Sequence, residues 1–132
     1  MTLHPFGGNA AFHHIGIAVS SIIETELKVQ PITDLIQKVK IAFAELDDCR
    51  IELLEPTGAD SPIDKSVKKG TKLLHICFEV DDLESAMESA KKNGFMAIAE
   101  PVPAVVFSGR RIAWAFHRIW GVIELLERTA LV

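Results

Sequence analysis

The feature that most narrows what this chain can fold into is an internal duplication. The pentapeptide IELLE at 51–55 returns unchanged at 123–127, and KIAFAEL at 40–46 matches RIAWAFH at 111–117. Upstream, FHHIGIAVSSI at 12–22 aligns with LLHICFEVDDL at 73–83 at an offset of 61, placing His14 on His75 and Val19 on Val80. The blocks keep the same order in both halves, so one supersecondary unit is used twice and every motif is read against its copy. Each half opens with a short β-branched run and closes with two extended runs separated by a turn. That turn falls at Asp47-Asp48 in the first half and around Ile119 to Gly121 in the second.

Between its strands the second half carries a helix signal. Asp81 can act as N-cap with Glu84 three residues on; Leu83, Ala86, Met87 and Ala90 fall on one face, and Gly94 follows as terminator. A short strand near Met96 to Ala99 and a loop marked by Pro101 and Pro103 precede the strand from Arg111, giving a β-α-β-β-β order. Residues 57–72 join the halves, and Ser61-Pro62 and Gly70 bracket a short linker helix there. The expectation is an α+β fold in which two tandem βαβββ modules, about 12–56 and 73–128, form a curved mixed sheet around a shared site within a single domain over 1–132. The first module departs from its copy: 20 residues lie between Val19 and Lys40, against 30 between Val80 and Arg111. At about 1.5 Å per residue the missing stretch is nearly three helical turns, so the helix is expected to be reduced to a turn around Ser21 to Leu27, or lost. A sheet face without its helix needs another cover, and a homodimer is expected to supply it.

Composition excludes several classes. With 132 residues, 48% of them apolar, the chain can bury a core without disulfides. Cys49 and Cys77 lie in apolar runs and read as buried reduced thiols. A net charge of −4, with basic residues scattered in short pairs, argues against a nucleic-acid partner. No export signal and no long apolar run is visible, so no membrane partner and a cytoplasmic location are expected. The first ten residues, with Pro5, Gly7 and Gly8, read as a flexible or loosely docked tail.

A duplicated module set about a pseudo-twofold axis brings equivalent residues together, so polar residues that recur at one place in both copies are site candidates. His14 and His75 are one such pair. Glu52 and Glu124, each between apolar strand neighbours, are the other. Two imidazoles and two carboxylates suit one divalent metal ion among Zn, Co, Ni, Mn and Fe, with coordination positions left for a small-molecule substrate. Gln37, on the same side of its expected strand as Val39 and Ile41, is a candidate substrate contact. Arg110 and Arg111, in a turn with Ser108 and Gly109, are candidates to hold a carboxylate, thioester or phosphate of the substrate. Phe43 and Trp114 are repeat-equivalent and read as core.

The segments HHIGIAV, RIELLEP, LLHICFEVDDLESA and GVIELLER together resemble the vicinal-oxygen-chelate superfamily, whose fold unites glyoxalases, bleomycin resistance proteins and dioxygenases. The likeness is greatest to its branch of methylmalonyl-CoA epimerases and glyoxalase-I-like proteins, and it covers about 12–128. The resemblance implies metal ligands at His14, Glu52, His75 and Glu124, the same four that the duplication selects. It implies an isomerase or lyase in which the metal stabilises an enolate-like intermediate during proton transfer next to a carbonyl, on an acyl-CoA or thiol-adduct substrate. Alternatives within the fold are a non-catalytic small-molecule binding or resistance protein and an extradiol-type dioxygenase. In the epimerase branch a strand-borne carboxylate serves as base, whereas the matching stretch QKVKIAF offers Ile41. Glu52 and Glu124 are therefore the candidate bases.

Overall fold

The computed structural model describes residues 4–128. Among them are nine strands and two α-helices: β1 (Ala11–Ala18), β2 (Ile32–Asp34), β3 (Val39–Leu46), β4 (Cys49–Pro56), α1 (Asp64–Lys69), β5 (Leu73–Val80), α2 (Leu83–Lys92), β6 (Met96–Ala97), β7 (Val102–Pro103), β8 (Arg111–His117) and β9 (Gly121–Glu127). Two 3-10 turns, Ile23–Thr25 and Val105–Phe107, complete the elements. The expected α+β class and twofold modular order are borne out. No described helix is long and apolar enough to cross a membrane.

The chain divides into two compact units that follow the repeat, with two exceptions. The first-module unit comprises His14–Leu74 and borrows Ala104–Ser108; the second-module unit holds the remainder, including the N-terminal segment through His13. In the first-module unit the strand order is β2-β3-β4-β1. Strands β3 and β4 form an antiparallel hairpin about Asp47, and β4 runs parallel to β1 with Gly16 opposite Glu52. In the second-module unit the order is β5-β9-β8-β6, with β7 also pairing β8. There β8 and β9 are antiparallel, with Trp114 opposite Glu124, and β9 runs parallel to β5. Parallel neighbours require a crossover between them, and the intervening elements of each module provide it.

Alternation along these strands sorts side chains onto two faces. In the second-module unit Ile76, Phe78, Val80, Ile123 and Leu125 point to a back face that α2 seals with Leu83, Ala86 and Ala90. Helix α2 begins one residue later than the sequence reading places it. Asp82 caps it, accepting a hydrogen bond from the Ser85 N–H at 2.9 Å, while Asp81 pairs with Arg128 at 2.6 Å. The helix closes at Asn93, and Gly94 follows with φ 88°, where an added Cβ would lie 3.1 Å from the His117 imidazole. Both the left-handed backbone and the contact require glycine there.

The expected loose tail is corrected by the structure from residue 4 onward. Phe6 is buried in the second-module core, its ring 4.9 Å from that of Phe95 and 5.5 Å from that of Phe78. Arg128 donates to the Asn9 carbonyl at 2.6 Å. Aromatic burial is what orders a segment that has no periodicity of its own.

In the first-module unit the ten-residue loss falls on the helix and spares the strand. A single 3-10 turn remains at Ile23–Thr25, tied to β4 by the Ile22 N–H donating to Glu55 Oε1 at 2.7 Å. Its back face is a small cluster of Ile22, Ala42 and Leu53, flanked by Val19, Val29 and Ile51, all on the turn, the loop or the strands themselves. Ile23 is left 84% exposed. The opposite face packs Val39, Ile41 and Leu54 under Ile63, Leu74 and Val106, so the linker and the borrowed 3-10 turn cover it.

Candidate metal centre

Each unit carries one buried His/Glu pair. In the first-module unit His14, on β1, and Glu52, on β4, are fully or almost fully buried, and His14 Nε2 lies 3.3 Å from Glu52 Oε1. Because β1 and β4 are parallel and in register at Gly16 and Glu52, His14 sits on the same face two residues earlier. In the second-module unit His75, on β5, and Glu124, on β9, repeat the arrangement with Nε2 to Oε1 at 3.2 Å. Cys77 is opposite Glu124 in that parallel register, which again puts the histidine two positions before.

Two donor atoms bound to one ion at about 2.1 Å each, at angles between 90° and the tetrahedral value, lie roughly 3.0–3.4 Å apart. The Nε2 to Oε1 separations of 3.3 and 3.2 Å match one edge of such a polyhedron in each unit. The donor chemistry, imidazole nitrogen with carboxylate oxygen, fits a first-row divalent ion.

The imidazoles are held by aromatic walls that also repeat. The His14 ring meets Phe43 edge-on at 5.5 Å, and the His75 ring meets Trp114 edge-on at 4.8 Å. Phe43 and Trp114, read from sequence as core, are thus the side chains that orient the two histidines. Phe107, from the borrowed turn, adds a near-parallel contact to His14 at 5.9 Å. Repeat equivalence pointed to the first two residues. Nothing in the sequence pointed to Phe107, which lies in a loop with no counterpart in the first half.

The other sequence candidates are placed differently. Gln37 is not on a strand: it lies in the turn between β2 and β3, where its N–H donates to Asp34 Oδ1 at 2.9 Å. Asp34, which the sequence reading passed over, is 2% exposed; its Oδ1 also accepts from the Ile36 N–H, and Oδ2 has no hydrogen-bond partner among the described residues. Its local bonds define an Asx turn that closes the β2-β3 hairpin. Arg110 pairs with Glu79 at 3.2 Å, and Arg111 pairs with Glu127 at 2.8 Å and Glu84 at 2.7 Å. Hydrogen bonding from Arg111 holds the Glu84 and Glu127 carboxyls below their usual range and raises the guanidinium further. Cys77 is a fully buried thiol whose Sγ donates to the Phe78 carbonyl at 3.8 Å, whereas Cys49, expected to be buried, is only half-buried at the start of β4; the two form no disulfide.

The fold and the repeated His/Glu pairs define a class, and residues 13–114 match it directly: the chain belongs to the Glyoxalase/Bleomycin resistance protein/Dioxygenase superfamily. Among individual proteins it is similar to the mitochondrial methylmalonyl-CoA epimerase of Dictyostelium discoideum, 31% identical over 101 residues. That match covers 74% of this chain and spans 60% of the length of that relative. A hypothetical protein of Bacillus halodurans shares the fold with a TM-score of 0.77 and 33% identity, over 95% of this chain and 99% of that one. A Streptomyces coelicolor methylmalonyl-CoA epimerase variant, in complex with 2-nitronate-propionyl-CoA, shares the fold with a TM-score of 0.73 at 23% identity, over 90% and 97% of the two chains.

Proposed function

We propose that this chain is a divalent-metal-dependent isomerase of the epimerase type that moves a proton next to the carbonyl of an acyl-CoA thioester. The observation that carries the reading is the twofold occurrence of a buried His/Glu pair at polyhedron-edge spacing, 3.3 Å in one unit and 3.2 Å in the other. In this reading His14, Glu52, His75 and Glu124 serve one ion of the Zn, Co, Ni, Mn or Fe type. Such an ion, when bound, supplies a Lewis acid worth several kcal/mol to charge developing on a substrate oxygen. Burial of the four side chains excludes water from the donor atoms and keeps them in place before substrate arrives. The carboxylate of Glu52 or Glu124 would take the α-proton and, as the resulting acid, return a proton to the opposite face of the same carbon, so that no net proton is lost. Family membership and the acyl-CoA chemistry named for its relatives support the substrate class. Arg110 and Arg111, whose guanidinium groups are taken up by Glu79, Glu84 and Glu127, are assigned to joining β5, α2, β8 and β9 rather than to substrate.

The test is metal titration followed by α-proton exchange in deuterated water, read by NMR on a panel of branched acyl-CoA thioesters that includes methylmalonyl-CoA. Metal-dependent deuterium uptake that Glu124→Gln abolishes is the expected result. Metal binding without exchange leads to a second reading, a small-molecule binding protein of the same fold. One observation favours that reading: Ile41, where the epimerase branch places its acid, is 4% exposed among Val39 and Leu54, so β3 presents no carboxylate at that position. Oxygen uptake with an iron-loaded sample would point to the dioxygenase chemistry instead, and exchange confined to thiol adducts to a lyase. Assembly as a homodimer is part of the proposal, and sedimentation equilibrium at micromolar concentration tests it.

A further inference from the structure

The His75–Glu124 pair stands beside an apolar ledge that the proposed chemistry leaves unused. Trp114, whose ring meets His75 at 4.8 Å, lies opposite Glu124 on β8. The Ile98 N–H donates to the Trp114 carbonyl at 2.9 Å, and Met96 pairs with Phe116, so Ile98 and Met96 share the face of Trp114 and Phe116. Met96, Ile98 and Phe116 are 65%, 54% and 40% exposed. None of the four side chains is charged, and the indole N–H of Trp114 is the one hydrogen-bond donor among them. On the corresponding face of the first-module unit Ile63, Leu74 and Val106 cover Val39, Ile41 and Leu54, and the position equivalent to Phe116 is the exposed, charged Glu45. The ledge measures one strand spacing by two residues, about 5 by 7 Å, far from the roughly 800 Å² per partner that a stable protein interface buries. It has the width of an alkyl chain.

We propose that Met96, Ile98, Trp114 and Phe116 form a specificity ledge for the acyl branch of the substrate, so that this protein selects thioesters whose branch is an extended alkyl chain over those whose branch is a short carboxylate. The proposal rests on the reading that the His75–Glu124 pair holds the metal to which the thioester carbonyl is brought. A carboxylate on the ledge would exchange the several hydrogen bonds of its hydration for at most the one indole N–H of Trp114, which costs free energy. An alkyl chain instead gains with each methylene that leaves water. The pantetheine arm, with its amides, fits the ledge less well for the same reason as the carboxylate.

The experiment uses Trp120→Phe protein, which leaves Trp114 as the single tryptophan of the two in the chain, and follows its emission while propionyl-, hexanoyl-, octanoyl- and methylmalonyl-CoA are titrated with and without Zn or Co; methylmalonyl-CoA binding as tightly as octanoyl-CoA would overturn the proposal. Affinity is expected to rise about two- to fourfold per added methylene, with a blue shift of Trp114. In Met96→Ser/Ile98→Ser protein the dependence on chain length should disappear while metal affinity is unchanged. Both substitutions are at exposed positions that leave the core intact. A flat dependence on chain length in a metal-loaded sample overturns the ledge and leaves the metal reading standing; a steep dependence without metal binding supports the ledge and removes the metal reading. Should the double substitution instead dissociate a dimer with no effect on acyl binding, the surface is an interface with a second copy and the proposal is wrong.

Discussion

The two modules carry the same His/Glu pair and treat the faces around it in opposite ways. The second module seals its back face with a ten-residue amphipathic helix, α2, and leaves the strands beside His75 and Glu124 bare at Met96, Ile98 and Phe116. The first module has only a 3-10 turn behind its sheet, and instead covers the face beside His14 and Glu52 with Ile63 of the linker, Leu74 at the start of β5, and the borrowed Val106 and Phe107. Duplication preserved the buried His/Glu pairs. The positions that only exclude water were free to exchange one cover for another, because hydrophobic burial is non-directional and any apolar side chain of the right volume serves.

This contrast can be broken at several strengths. The largest effect is expected from Leu83→Ala. Leu83 is wholly buried under α2, and its truncation should cost about 2–5 kcal/mol in chemical denaturation. Ile23→Ala, at the vestigial turn where the side chain is 84% exposed, should stay within about 0.5 kcal/mol. Equal losses would mean that the turn does the work of the helix. Next, His14→Ala and His75→Ala should each weaken divalent-metal binding by roughly a hundredfold or more, read by calorimetry, about 2.7 kcal/mol on the usual scale. Loss from one substitution alone would show that the pairs do not share an ion.

A smaller change is expected at the α2 cap. Asp82→Ala should cost about 1 kcal/mol, while Asp81→Ala, which removes only a surface pair with Arg128, should cost less. The smallest effect concerns acid. Glu84 and Glu127 have carboxyls lowered from 4.5 by Arg111, so the stability they contribute is fully present above that ordinary value and is lost as pH falls through the depressed folded values. Thermal unfolding between neutral pH and the acid range should show a slope that Arg111→Met flattens.

How much of this was legible in the chain follows from which interactions are local. The two β-hairpins at Asp47 and Ile119, the helix α2 and the length deficit in the first module were readable because turn residues, periodicity and spacing are properties of contiguous sequence. His14, Glu52, His75 and Glu124 were readable because a repeat compares each with a copy of itself. Gln37 was misplaced because β3 begins two residues later, at Val39, and the Asp34 carboxylate, by accepting from the Ile36 and Gln37 N–H groups, fixes a turn there. Arg110 and Arg111 looked available for a substrate because their partners, Glu79 and Glu127, lie 31 and 16 residues away in the chain.

By itself, then, the sequence determined that one module occurs twice, that its strands alternate as they do, and which four polar side chains recur in apolar surroundings. Only the tertiary structure decided that Phe6 closes the second-module core, that Ala104–Ser108 is packed with the first module, and that the sheet beside His75 stays bare. The physical reason is the same in each case. Periodicity encodes which face of an element avoids water, but not which distant segment will cover it, since contacts that exclude water carry no address in the chain.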